Sequence, residues 1–146
     1  MKIQIRPATN KDFNIWSKLR FELWPTTSIE DHLKELQSFD GDKKFHAFFA
    51  VHDDKIIGFL EAYERPFANG CEDSPVLFLE GIWVHKALRR KKVAKTLVTH
   101  LETIAKEKGF KEIGSDTDLN NSSAQQAHKK WGFNETSRVV YFKKNI

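Results

Sequence analysis

At 146 residues, 40% hydrophobic and 30% charged, the chain has the length and balance of one soluble domain able to bury a core. No apolar run reaches a membrane span, Met1-Lys2-Ile3-Gln4 lacks a signal-peptide h-region, and the lone Cys71 excludes a disulfide framework or a cysteine metal cluster, so a cytoplasmic location is expected. The net charge of +4 admits a nucleic-acid partner, yet cations crowd into 86–95 and Lys143-Lys144 while acids gather at Glu61, Glu64, Glu72, Asp73, Glu80, Asp116 and Asp118.

Ile3 to Arg6 alternates like an edge strand and stops at Pro7. Thr9 or Asn10 is placed to cap a helix over 11–23, with Phe13, Trp16, Leu19 and Leu23 at helical spacing and Pro25 behind it. Ser28-Ile29-Glu30-Asp31 opens a second helix over about 29–39. Phe45–His52 and Lys55–Tyr63 read as an antiparallel pair about an Asp53-Asp54 turn, and 64–74 as a loop. A strand over about 75–84 precedes a helix over about 93–108, ended by Gly109. Lys111–Ser115 is expected as a strand, and Asn120-Asn121-Ser122-Ser123 is placed to cap a helix that runs to Trp131 and stops at Gly132. Glu135–Lys143, rich in β-branched and aromatic residues, is expected as the last strand, with Tyr141 and Phe142 as packing residues. Helices, then a meander, then a strand-helix-strand-helix-strand tail give an α+β fold with a mixed, mainly antiparallel sheet, a single domain over 1–146.

The most informative stretch is Leu77 to Val98. An apolar strand is interrupted by Glu80-Gly81, where a strand-interior glycine marks a bulge or a close backbone approach, and it empties through a basic turn into a helix N-terminus. Unpaired amides and the helix dipole make such a mouth an anion site, here ringed by Lys86, Arg89, Arg90, Lys91, Lys92 and Lys95.

Arg89-x-x-Lys92-x-Ala94 after such a strand resembles the acyl-CoA signature of the GNAT N-acetyltransferases, Arg/Gln-x-x-Gly-x-Gly/Ala. With Phe78-Leu79-Glu80-Gly81-Ile82-x-Val84, Ser115-Asp116-Thr117 and Gly132-Phe133-x-Glu135-Thr136-x-Arg138-Val139, the chain is similar over nearly its whole length to the aminoglycoside 6′-N-acetyltransferases. The resemblance implies a GNAT-like twisted sheet flanked by helices, with a splay between the central strands that receives acetyl-CoA, no metal, and a homodimer. It implies direct acetyl transfer to the 6′-amine of an aminoglycoside, with no nucleic-acid or membrane partner. Other readings are acetyl transfer to a polyamine or peptide N-terminus, and, more distantly, a non-catalytic basic nucleic-acid-binding domain.

An ammonium has no lone pair, so a carboxylate, directly or through water, has to accept its proton before the nitrogen attacks. The resemblance assigns the catalytic roles to Asp116 as favoured base, to Glu80 as substrate contact and rival base, and to His128 as the acid that protonates the departing thiolate. Ile82, Trp83 and Val84 are implied to offer backbone groups to the pantetheine, Arg89, Arg90, Lys91, Lys92, Val93 and Ala94 to wrap the pyrophosphate, and Asn121 to contact the cofactor. Trp24 matches a substrate-stacking tryptophan. Three departures bear on ligand binding: Lys92 stands where the signature has Gly, Phe67 where relatives have a tyrosine, and Ser137 where some have Glu.

Overall fold

The computed structural model describes residues 1–146. Its single sheet has the order β1 (Gln4–Pro7), β2 (Phe45–His52), β3 (Lys55–Arg65), β4 (Val76–Val84), β5 (Ile113–Gly114). All neighbours are antiparallel except β4 and β5, which run parallel. The β2–β3 turn uses left-handed Asp53 and Asp54 (φ 47° and 59°), a conformation acidic turn residues tolerate.

Helices cover both faces, which is why the middle strands are apolar along their length. On one face α3 (Val93–Glu107) packs Val93, Leu97, Val98 and Leu101 against Leu60, Ala62, Leu77 and Leu79. On the other, α1 (Phe13–Leu23) and α2 (Ile29–Phe39) bury Trp16 and Leu36 against Phe49, Phe59 and Trp83. Adjacent residues such as Phe59 and Leu60 therefore serve opposite faces, as the two-residue period of a strand requires. Ser28 caps α2 by accepting the Asp31 amide at 3.1 Å. The turn before α1 is a 3-10 helix over Asn10–Asp12, closed by the Thr9 amide donating to Asp12 at 2.8 Å. A ninth-residue cap and a residue-13 helix start divide what the sequence presents as one segment.

Two irregularities in β4 shape everything that follows. Glu61 pairs with Gly81 and Ala62 with Leu79, so Glu80 is an extra residue with no partner on β3: the expected bulge. On its other side β4 meets β5 only at Leu77 and Phe78, so the edge from Leu79 to Val84 carries no strand.

Two sequence expectations are corrected. The strand expected over Lys111–Ser115 shrinks to Ile113–Gly114. The strand expected over Glu135–Lys143 does not form, and Val139, Val140, Tyr141 and Phe142 lie exposed, Phe142 by 90%. Strand-forming residues gain little without a ladder to join, and a two-residue edge offers almost none. After β5, α4 (Ser122–Lys130) completes the regular structure.

Candidate functional site

The basic mouth is built by backbone conformation. β4 leaves the sheet at Val84, and a 3-10 turn over Lys86–Leu88 follows, started by the Ala87 amide donating to His85 Nδ1 at 3.2 Å. Arg89 folds back so that its Nε donates to the Val84 carbonyl at 3.2 Å. Arg90 (φ 64°) and Lys92 (φ 67°) are both left-handed, and α3 starts directly after Lys92 with no side chain capping its amides. Val93 turns its side chain into the core, 1% exposed, leaving its main chain to the mouth. Four exposed cations, Arg89 to Lys92, adjoin the uncapped amides of the α3 start. This donor set fits a diphosphate. Ile82, Trp83 and Val84 lie on the strandless edge of β4 immediately upstream; the Trp83 indole itself is buried against Phe59.

Lys92 occupies the conformation that the signature glycine would adopt without strain. Lys92→Gly is expected to raise stability by up to about 1 kcal/mol, since relief of a left-handed side chain exceeds the entropy a glycine adds to the unfolded chain. Thermal unfolding checks the gain, and titration with acetyl-CoA should retain most of the affinity; loss of most of it would make the Lys92 ammonium itself an essential phosphate ligand.

Beyond the bulge lies a cavity of about 420 Å³ between the helices and the sheet, walled by Trp24, Phe39, Phe45 and Tyr63 and carrying Glu35, Glu61 and Glu80. Trp24 closes α1 and is clamped by three neighbours. Its carbonyl meets His32 Nε2 at 2.9 Å, Arg20 lies 5.1 Å over its ring, and the ring rests on Gly81. Any Cβ at Gly81 would fall inside the Trp24 ring. Gly81→Ala is therefore expected to dislodge the indole and lower stability by about 1–3 kcal/mol, the usual effect of overpacking. Tryptophan fluorescence together with chemical denaturation checks both halves of that statement.

The cavity's acids each have an arginine. Arg20, 3% exposed, sends Nη2 to Glu35 at 3.1 Å and stands with Nε 3.2 Å from Glu61 Oε2. That Nε is out of hydrogen-bond alignment, while Trp16 Nε1 donates to the same Glu61 oxygen at 2.9 Å. Burial pushes the Glu61 carboxyl up to about 7, and Arg20 and the indole only partly offset it. Glu80 accepts from Arg65 twice, Nε at 2.9 Å and Nη2 at 2.8 Å. Glu61, Glu35, Tyr63 and Arg65 were not singled out as site residues from the sequence. Glu61 carried the same signal as Glu80, an acid inside an apolar strand; the others carried none.

Of the residues singled out from the sequence, Trp24 and Glu80 share this cavity. Asp116 is exposed just past β5, beside Ser115. Ser115 Oγ lies 2.7 Å from His128 Nε2, and His128 Nδ1 lies 2.7 Å from the Ala124 carbonyl. A carbonyl only accepts, so Nδ1 carries a proton, while Ser115 Oγ donates to a neutral ring's Nε2 or accepts from a protonated one. Trp131 and Phe133 flank the imidazole at 5.1 and 5.3 Å. Asn121 accepts the Ala124 amide at 3.0 Å, acting as the cap of α4. Phe67, 70% exposed, lies in the 66–74 loop and Ser137 passes Gly70 of the same loop, and neither lines the cavity. No three His, Cys, Asp or Glu side chains are grouped to hold a metal ion.

The acetyltransferase (GNAT) family model matches residues 11–133. The aminoglycoside N(6′)-acetyltransferase type 1 of Acinetobacter baumannii is 40% identical, with 99% of each chain covered. That of Serratia marcescens is 39% identical over 92% of this chain and 94% of its own. Among solved structures, AAC(6′)-Iy in complex with the bisubstrate analogue CoA-S-monomethyl-acetylneamine superposes with a TM-score of 0.93 at 35% identity, with all of both chains covered. AAC(6′)-Ih from Acinetobacter baumannii gives 0.93 at 38% identity over 99% of each.

Proposed function

This chain belongs to the acetyltransferase (GNAT) family, and on that premise we propose that it transfers the acetyl group of acetyl-CoA to the 6′-amine of aminoglycosides, conferring resistance to them. The observation that carries this reading is one strand serving two opposite charges. The exit of β4 opens into the cationic mouth before α3, and its bulge sets Glu80 in the acid-bearing cavity. Relatives and structural neighbours at 35–40% identity bear the same activity in their names. The chain acts as one acetyltransferase domain.

Acetyl-CoA supplies the thioester. The residues of the mouth, Arg89, Arg90, Lys91, Lys92, Val93 and Ala94, hold its diphosphate, and the free edge at Ile82, Trp83 and Val84 offers main-chain partners to its linker. Trp24 and Glu80 orient the cationic acceptor. Asp116 takes the proton of the attacking nitrogen, because Glu80 is committed to Arg65 while Asp116 is exposed. The amine attacks the thioester carbon directly, and the C–S bond breaks as the amide forms. A His128 protonated on both ring nitrogens donates Nε2–H to Ser115 Oγ, so a proton passed from it to the departing sulfur travels through that hydroxyl. Cys71 makes a poor nucleophile for a two-step route, since burial, with Glu112 nearby, pushes its thiol up. Acetylation removes one positive charge from the drug and weakens its hold on ribosomal RNA. The reaction belongs to the cytoplasm, and no helix is long and apolar enough to cross a membrane. The exposed apolar tail Val139–Phe142 supports a homodimer, in which a second copy shelters it.

Calorimetric titration with acetyl-CoA, followed by thiol release with kanamycin, tobramycin and spermidine, tests the reading. Binding and turnover of the two antibiotics over spermidine are expected. Absence of acetyl-CoA binding defeats the reading altogether, and preference for spermidine moves the activity to polyamines.

A further inference from the structure

Every carboxylate facing the acceptor cavity is already matched by an arginine. Glu35 and Glu61 share Arg20, and Glu80 is taken by Arg65. A cationic acceptor therefore meets no free acid in this cavity unless one of those pairs opens. Arg20 is not free to move: its side chain is 4% exposed, and Glu35, Glu61 and the His32 carbonyl surround it. Arg65 differs on every count. It ends β3, its side chain is 38% exposed, and it reaches Glu80 from outside the cavity wall. Its guanidinium also lies 3.7 Å from the centroid of the Phe78 ring, a cation–π contact that stays available to it when the carboxylate is given up. Glu80 is equally free to exchange partners, since it is the unpaired residue of the bulge and its side chain is 29% exposed. The pair is bidentate, but both side chains are part-exposed, so water and salt screen it more than the buried Arg20 cluster and an incoming ammonium can compete for the carboxylate.

We propose that Arg65 is a displaceable counter-ion that holds both oxygens of Glu80 in the free enzyme and yields that carboxylate to an ammonium of the incoming acceptor. Arg65 thus sets the acceptor affinity without touching the reacting atoms. It is a positioning residue that acts through Glu80. The inference rests on the cationic-acceptor reading above, and it places a competitor for the acceptor inside the enzyme itself.

The test compares the unmodified chain with Arg65→Gln, which keeps the stem over Phe78, and with Arg65→Lys, using kanamycin as probe. For Arg65→Gln, KM for kanamycin is expected to fall roughly threefold to fivefold with kcat within about twofold, the scale of one exposed ion pair. Its KM should also rise more steeply with ionic strength than that of the unmodified chain, because an uncompensated carboxylate is more exposed to screening. Arg65→Lys should return KM toward the original value. An unchanged or raised KM in Arg65→Gln overturns the proposal while leaving the acetyltransferase reading intact. If the unmodified chain turns over no kanamycin, the acceptor reading fails and the proposal with it. The unmodified protein gives an independent readout should the variant not fold. The Nε–H resonance of Arg65 is expected to shift on saturation with kanamycin in the presence of CoA, and a resonance that does not move overturns the exchange.

Discussion

Asp116→Asn is expected to lower kcat/KM for the aminoglycoside by about 10²–10⁴-fold, the range a positioned general base contributes. Asparagine has the size of aspartate and still accepts a hydrogen bond, but it cannot take a proton from an ammonium. The substitution lies at an exposed position outside the regular elements, so the fold should be unaffected. Acetyl-CoA affinity should be preserved as well, since the basic mouth proposed for its diphosphate lies between β4 and α3, on other residues. The loss should also shrink as pH rises, because a growing share of the amine then arrives already neutral. Initial rates by thiol release between neutral and alkaline pH, with parallel calorimetry, check all three statements. A variant within tenfold of the original at neutral pH would pass the base role to another group, Glu80 after release from Arg65 being the nearest alternative.

The second large effect is on stability. Glu61→Ala is expected to cost about 3–5 kcal/mol, because it leaves the Arg20 charge buried opposite a void and the Trp16 N–H without an acceptor. Chemical denaturation measures this directly, and a loss below about 1 kcal/mol would mean that Arg20 is sufficiently served by Glu35 and the His32 carbonyl. Glu61→Gln isolates the charge. The folded carboxyl titrates at about 7, above its unfolded value of 4.5. Its contribution to stability is therefore complete below about 4.5 and is lost as pH rises through 7. Glutamine has no such slope, so melting temperatures of the original and the Gln variant should shift in favour of Gln between pH 5 and pH 8. A difference that stays constant across that range would show that Arg20 holds Glu61 ionised throughout.

Local chemistry was fully legible. The Ser28 cap delimits α2, the Asp53-Asp54 turn fixes the β2–β3 pair, and the Glu80-Gly81 interruption announces a bulge because those signals act within a few residues. The basic mouth was legible for the same reason. Partnerships across the chain were not. Arg20 meets Glu61 and Arg65 meets Glu80 through folding alone, and no spacing rule connects them. Glu61 could have been found by asking of it the question asked of Glu80: why an acid interrupts apolar strand residues. The tail from Glu135 misled for a different reason. Its β-branched and aromatic composition is that of a strand, but composition expresses what a segment favours once a neighbour is present, and the sheet supplies none. His128 illustrates the same limit at one residue: its position was readable, its hydrogen bonds to Ala124 and Ser115 were not.

The unpaired residue of β4 also bears on how such an enzyme changes over generations. Ladder positions on either side of it, Leu79 and Gly81, answer to Ala62 and Glu61 and to the Trp24 ring, so most replacements there disturb the architecture. The residue between them answers to no ladder partner. Alternatives at that one place therefore disturb the ladder least, and under the acceptor role proposed for Glu80 they would redirect which drugs are recognised while leaving the basic mouth before α3 as it is.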